Sequence, residues 1–284
     1  MRDLVGKVAV VTGAASGIGK AIVQRLAGED MRIVLVDVDE RALSSTVDEV
    51  GKSGASVHGV IADVSSADSV QALAKETLAH FGAVHLVCSN AGVQGHSDRP
   101  IWEASAKDWQ WILGVNLWGA VHMTQTFLPI LLEQADGHLV ITASATSYML
   151  PSDMYVVSKH SVAAFAELVY SQVRQLNSPV NVSLLCPGSV ATHLFEHERP
   201  APLRNPADPV RDEQAIESLR RRAERNKRGV DPAVVAEALV HGIRDDRFYI
   251  FNDHEWDDRI RSRTEHVLRR ENPQPMPSVA RPSS

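Results

Sequence analysis

The stretch Val8-Ala9-Val10-Val11-Thr12-Gly13-Ala14-Ala15-Ser16-Gly17-Ile18-Gly19 decides the fold. Its first five residues are an apolar, β-branched run of strand type. Three glycines follow in a G-x-x-x-G-x-G spacing rather than the G-x-G-x-x-G of the usual dinucleotide fingerprint, and a helical pattern opens behind them. Glycine lets a backbone turn sharply and approach a pyrophosphate closely. A helix N-terminus adds unpaired N–H donors and partial positive charge. Strand, glycine turn and helix at the head of a βα pattern read as a phosphate-binding turn built from Gly13, Ser16, Gly17, Ile18 and Gly19.

The pattern continues outward from this turn. Strand-like runs occur at Val8–Thr12, Ile33–Asp37, Val57–Ile61, Leu86–Ser89, Leu139–Thr142, Val180–Leu185 and Phe248–Phe251. Runs apolar on every side, alternating with amphipathic helices, imply an α/β fold: a parallel sheet of about seven strands with helices on both faces. Residues 1–192 form the core of this pattern. Residues 193–230 change character, with scattered prolines and the charged run Asp212–Arg228, and read as a lid over the sheet. Asp231-Pro232 supplies an N-cap and a proline at the first helical position, opening a helix to about Ile243. Residues 231–270 thus hold a C-terminal helix and the last strand, and 271–284 form a proline-rich tail.

The chain has 284 residues, 44% apolar and 23% charged, with 35 acidic against 29 basic side chains. That length suits one large domain or two small ones, and the order of the motifs decides for one. A net charge of −6 argues against nucleic acid as a partner. No stretch approaches the ~20 apolar residues of a membrane-spanning helix, and the first residues run straight into a strand without a secretory pattern. Cys88 and Cys186 lie far apart, so a reducing cytoplasm and no bound metal are expected. His193 and His197 have no carboxylate at metal spacing. Trp102, Trp109, Trp111 and Trp118 follow helical spacing and read as core or interface.

Asp37 closes the second strand, eighteen residues after Gly19. A carboxylate there accepts hydrogen bonds from an adenosine ribose and repels a 2′-phosphate, and no compensating cation stands beside it. NAD is therefore expected over NADP; the alternative role for Asp37 is a helix N-cap. Tyr155 and Lys159 are spaced i, i+4, which puts both on one helix face. An ammonium near a phenol stabilises the phenolate, and bringing tyrosine from ~10 to ~7 needs roughly 4 kcal/mol. A phenol so tuned is a general acid/base at neutral pH.

Together with Asp63-Val64, Asn90-Ala91-Gly92, Asn116 in Val-Asn-Leu, Tyr155-x-x-Ser158-Lys159 and Pro187-Gly188, the glycine turn resembles the short-chain dehydrogenase/reductase family, in its NAD-preferring type. The pieces occur in the family's order over residues 6–192, about two-thirds of the chain. The resemblance implies a single-domain, Rossmann-like, doubly wound sheet. It implies that Asp63 and Val64 contact the adenine ring and that Asn90, Ala91 and Gly92 pack against the cofactor. Pro187, Gly188, Val190 and Thr192 would meet the nicotinamide end. Tyr155 would be the catalytic acid/base, Lys159 its tuner and a ribose ligand. Asn116 would kink its helix and anchor a water that relays protons to Lys159.

One catalytic position departs from the family pattern, which places a serine thirteen residues before the tyrosine. Thr142 stands there, and Ser144 stands eleven before. Strand alternation puts both on one face of the sheet, so parity does not choose between them. Ser144 is nearer the strand's C-terminal end, where sites of open parallel sheets form, and is the expected carbonyl-polarising hydroxyl; Thr142 is the alternative.

The expected activity is NAD-dependent interconversion of a secondary alcohol and a ketone, on a bulky hydrophobic or aromatic small molecule. The alternatives are an NADPH-dependent carbonyl reductase on the same scaffold and a non-catalytic nucleotide-sensing protein. The stretch Asp212–Gly229 with Phe248–Phe251 looks like family members that oxidise aryl-alkyl carbinols. Family members commonly pair their central helices, and Phe127, Leu131, Phe165 and Leu168 put apolar groups on more than one side of the corresponding helices here. A homodimer or homotetramer is expected.

Overall fold

Val8–Thr12 (β1) is buried along its whole length, as a strand covered on both faces must be. It lies inside a seven-stranded parallel sheet of order β3-β2-β1-β4-β5-β6-β7. The other strands are β2 (Arg32–Asp37), β3 (Val57–Ile61), β4 (Leu86–Ser89), β5 (His138–Thr142), β6 (Asn181–Cys186) and β7 (Tyr249–Phe251). The structure is a computed structural model that describes residues 1–94, 101–134, 136–192, 194, 224 and 227–273. This is the Rossmann-like, doubly wound architecture expected.

The helices are α1 (Gly17–Ala27), α2 (Glu40–Gly51), α3 (Ala67–Phe81), α4 (Ala106–Leu113), α5 (Gly119–Leu132), α6 (Met154–Gln175), α7 (Pro232–Arg244) and α8 (Asp257–Arg269). Alternate residues of β1 feed two separate cores. Val10 joins Val34, Val87, Leu139 and Phe127 on one face. Ala9 and Val11 join Ile33, Leu86, Leu26 and Val240 on the other. Period-two alternation sends successive side chains to opposite faces, so each helix layer receives its own apolar surface.

Strand order reverses between β1 and β4, because β1 to β3 run outward one way and β4 to β7 the other. The connections leaving the C-terminal ends of β1 and β4 run to opposite sides and leave a crevice, the expected ligand position in open α/β sheets.

The strand boundaries differ from the apolar runs in an instructive way. β2 starts at Arg32, β5 at His138 and β6 at Asn181, and these polar residues pair in the ladder, His138 opposite Asn181. Apolar runs mark the buried middle of a strand, whereas backbone hydrogen bonds extend past it. Helix α8 was not expected at all. It buries no side chain, and its few apolar residues, Ile260, Val267 and Leu268, are scattered among charged ones, a weak signal for a helix in sequence. Of the residues read as pairing surface, Phe127 and Leu131 are in the core, while Leu168 is exposed.

The lid expected at 193–230 lies outside the described residues except for Leu194, Glu224 and residues 227–230, and the tail beyond Pro273 lies outside them entirely. His193 and His197 fall there too. Among the described residues, no helix is long and apolar enough to cross a membrane.

Candidate active site

The crevice is a cleft of about 450 Å³. Every site residue expected from the sequence lines it except Asn116, which is buried immediately behind.

At one end is the glycine turn. Gly13 has φ +67°, and a Cβ there would lie 3.0 Å from the Ala91 Cα. A Cβ on Gly19 would collide with the carbonyl of Gly13. Only bare backbone fits this close approach of two turns. Ser16 is the N-cap of α1 but makes no side-chain capping bond. The first N–H groups of α1 therefore face the cleft without a capping acceptor, as a phosphate cradle requires.

Asp37 stands at the tip of β2. Its carboxylate accepts the N–H groups of Ala15 at 3.0 Å, Val38 at 2.8 Å and Asp39 at 3.1 Å. It is not the N-cap of α2; Asp39 is, accepting the Ala42 N–H at 2.9 Å. Asp37 is thus a fixed anion beside the glycine turn. Among the described residues lining the cleft, Lys159 is the only cation. It lies beneath β5, three strand spacings or about 14 Å from β2. Asp63 and Val64 close this end after β3, the Asp63 carboxylate holding the Ser65 N–H at 2.8 Å.

The middle of the cleft is tied by Asn90. The Thr12 hydroxyl accepts the N–H groups of Asn90 at 2.9 Å and Ala91 at 3.0 Å. The Asn90 amide donates to the Thr12 carbonyl at 3.0 Å, and its oxygen accepts the Thr142 hydroxyl at 3.4 Å. One side chain thereby fixes the C-terminal ends of β1, β4 and β5.

At the far end lie Ser144, Tyr155 and Lys159. Asp153 caps α6, accepting the Val156 N–H at 3.0 Å, and sets Tyr155 and Lys159 on the face toward the cleft. Lys159 is 3% exposed, and its ammonium donates to the Thr142 carbonyl at 2.9 Å. It stands 5.8 Å from the centre of the Tyr155 ring. Ser144 lies close enough to Tyr155 for its hydroxyl to lower the phenol's pKa, and it accepts from the Thr146 hydroxyl at 2.9 Å. The geometry brings Ser144, not Thr142, to the phenol. The Thr142 hydroxyl is turned to Asn90.

Asn116 sits in a π-helical turn, Gly114–Trp118, between α4 and α5, the interruption the resemblance implied. Its oxygen accepts the Val93 N–H at 2.8 Å; its amide donates to the Val93 carbonyl at 3.0 Å and the Ser158 hydroxyl at 2.8 Å. Ser158 in turn donates to the Tyr155 carbonyl at 2.7 Å. A Cβ on Gly92 would lie 3.3 Å from both Asn116 Oδ1 and Lys159 Nζ. Asn116 therefore clamps the turn after β4 to the helix carrying Tyr155.

The electrostatics differ from the sequence expectation. Burial pushes Tyr155 up to about 12, against the nearby Ser144 hydroxyl, which lowers it. Burial brings Lys159 down to about 8. Desolvation dominates the shift and Asp153 adds to it, while the Lys159 ammonium is directed to the Thr142 carbonyl. The protein groups alone do not bring Tyr155 to neutrality.

Trp111, read from the sequence as core or interface, is in the core at one edge of the cleft. It packs with Ile112 and Met154 and also lines the cleft, as do Val93 and Leu194. Its i, i+4 relation to Val115, another lining residue, was the available signal.

A model of the family described as short chain dehydrogenase matches residues 7–202. A short chain dehydrogenase/reductase from Burkholderia phymatum, solved in complex with NAD, is 39% identical, with a TM-score of 0.92 over 98% of this chain and 100% of that one. The 1-deoxy-11-beta-hydroxypentalenate dehydrogenase of Streptomyces avermitilis is 33% identical over 92% of this chain and 90% of its own length. A C alpha-dehydrogenase of a Sphingobium species is 28% identical over 88% and 81%.

Proposed function

The chain belongs to the short-chain dehydrogenase/reductase family, a nucleotide-binding oxidoreductase, and from that premise we propose that it interconverts a secondary alcohol and a ketone with NAD. The observation that carries the reading is a cleft with a fixed carboxylate, Asp37, at one end and the Ser144–Tyr155–Lys159 group at the other.

The residues present fit a dinucleotide. Gly13, Ser16, Gly17, Ile18 and Gly19 would hold the pyrophosphate, Asp37 the adenosine ribose, and Asp63 and Val64 the adenine. Asn90, Ala91 and Gly92 would pack along it. Pro187, Gly188, Val190 and Thr192 would hold the nicotinamide half, with Lys159 on its ribose. Asp37 supports NAD over NADP, since a 2′-phosphate beside it would meet like charge. NAD, when bound, supplies the hydride acceptor and a positive ring that favours a phenolate nearby.

In oxidation, Tyr155 takes the substrate hydroxyl proton at its phenolic oxygen. Ser144 donates to the same substrate oxygen as it gains carbonyl character. Lys159 stabilises the phenolate and passes the proton on through a water held at Asn116. Trp111, Val93 and Leu194 give the substrate end an apolar wall, which supports a bulky hydrophobic or aromatic alcohol. The Streptomyces relative is named for oxidation of a hydroxypentalenate and the Sphingobium relative for dehydrogenation at a Cα, which supports a hydroxyl-bearing carbon as the reacting centre. A homodimer or homotetramer, in the cytoplasm, completes the reading; exposed Leu168 on α6 and Trp118 beside α5 support pairing.

The test is a set of initial rates with NAD and NADP in parallel over aromatic, terpenoid and steroid secondary alcohols. NAD-linked turnover of at least one class is the expected result. A clear NADP preference would remove the role given to Asp37.

A further inference from the structure

The segment 187–192 is held from its far side by the C-terminal third of the chain. The Val230 N–H donates to the Ser189 carbonyl and the Ala191 N–H to the Val230 carbonyl, both at 2.9 Å. After β7, the Asn252 side-chain oxygen accepts the Gly188 N–H at 2.8 Å. Asn252 is itself aimed: its amide donates to Asp253 Oδ2 at 2.5 Å, and Asp253 Oδ1 accepts the Glu255 N–H at 3.0 Å. Trp256 closes over the same point. A Cβ on Gly188 would fall 2.6 Å from Asp253 Oδ2 and 2.8 Å from Trp256 Nε1. The Arg259 guanidinium covers the indole at 5.2 Å.

On the cleft side, the Pro187 carbonyl accepts the Ala145 N–H at 2.9 Å and lies 3.5 Å from the Ser144 hydroxyl. Ser144 and Tyr155 line the same end of the cleft. A continuous path therefore runs from Asn252 through Gly188 and Pro187 to Ser144 and the phenol. A half-buried N–H without its acceptor would pull the segment toward another partner.

We propose that Asn252, aimed by Asp253, is a positioning residue that sets the nicotinamide-holding segment 187–192 and, through Pro187, the Ser144 hydroxyl. This rests on the reading of that segment given under Proposed function. The Asn252 amide and Asp253 carboxylate are interchangeable in this arrangement. In the exchanged pair Asn252→Asp/Asp253→Asn, an aspartate oxygen still accepts from Gly188, an amide still joins the two side chains, and an amide oxygen still accepts from Glu255.

The experiment measures NAD and ADP-ribose affinities by calorimetry, with melting temperature, for wild type, Asn252→Ala, the exchanged pair and Gly188→Ala. ADP-ribose lacks the nicotinamide and reports the other half of the cleft. Asn252→Ala should weaken NAD about tenfold, the upper range for one hydrogen bond, and leave ADP-ribose within about twofold. The exchanged pair should recover NAD affinity to within about threefold of wild type. Unchanged NAD affinity in Asn252→Ala, with Gly188→Ala abolishing it, overturns the brace and leaves the functional reading standing. Unchanged NAD affinity in both overturns the reading of the segment with it. Parallel loss of NAD and ADP-ribose overturns the brace in favour of general loss of structure. Should Asn252→Ala not fold, the folded exchanged pair decides: wild-type NAD affinity supports the proposal, and its loss overturns it.

Discussion

The Lys159 ammonium is bound to the main-chain oxygen of Thr142 at 2.9 Å and is otherwise enclosed. This contact seats the cation under the end of β5, where the Thr142 hydroxyl is already engaged with Asn90. It also explains why Thr142, at the family's usual serine spacing, does not reach the phenol.

Because burial lowers Lys159 to about 8 from 10.5, the folded chain holds fewer protons than the unfolded chain between those values. Stability therefore rises with pH across that window, and below pH 8 the full burden of a buried charge is present. Lys159→Met should be more stable than wild type by about 2 kcal/mol at pH 7, after allowing for the Thr142 carbonyl left unpaired. Urea denaturation should show that gap closing as pH approaches 10.5, while the variant's turnover is lost.

Ser144 and Thr142 should separate cleanly. Ser144→Ala should lower kcat by about 10²–10³, the effect of losing one oxyanion donor. Thr142→Val keeps the carbonyl that seats Lys159 and loses only the bond to Asn90. It should cost about 1 kcal/mol of stability and less than about threefold in kcat. Steady-state kinetics with thermal melts of both variants checks this.

Asp37 is expected to set cofactor choice through charge. Asp37→Ser should shift the kcat/KM ratio of NAD to NADP toward NADP by about a hundredfold, since like-charge contact costs several kcal/mol. Some stability should be lost as well, because three backbone N–H groups lose their acceptor. Parallel rates with the two cofactors give the ratio.

His138 supplies an acid limit to stability. It is fully buried, its Nε2 is 2.7 Å from the Ser183 hydroxyl, and its Nδ1 has no partner. Burial lowers it to about 3, so the unfolded chain binds a proton that the folded chain refuses between pH 6.5 and 3. Stability falls on acidification through that window. His138→Gln, which retains a donor toward Ser183, should remove about 3 kcal/mol of the loss seen between pH 6.5 and 4 in denaturation curves.

Much of this arrangement is legible in the chain because backbone geometry dictates it. Gly13 and Gly19 admit no side chain, Asp37 ends a strand beside them, and Tyr155 and Lys159 share a face by helical spacing. The parts that were not legible depend on distance through space. Parity placed Thr142 and Ser144 on one face; nearness to the strand end favoured Ser144, and the bond that turns the Thr142 hydroxyl to Asn90 shows only in three dimensions. The phenol's upward shift comes from burial, which spacing does not report. Asn252 and Gly188 are far apart in sequence and carry no motif, and α8 has few apolar residues and buries none of them.

The most direct test of the central claim is the Tyr155→Phe variant, measured for turnover and for NAD affinity together. The phenol's proton transfer should be worth about 10²–10⁴ in kcat, with NAD binding held within about twofold because the ring still fills its place. Turnover at the wild-type rate in a variant that binds NAD normally would contradict the assignment of Tyr155 as the acid/base.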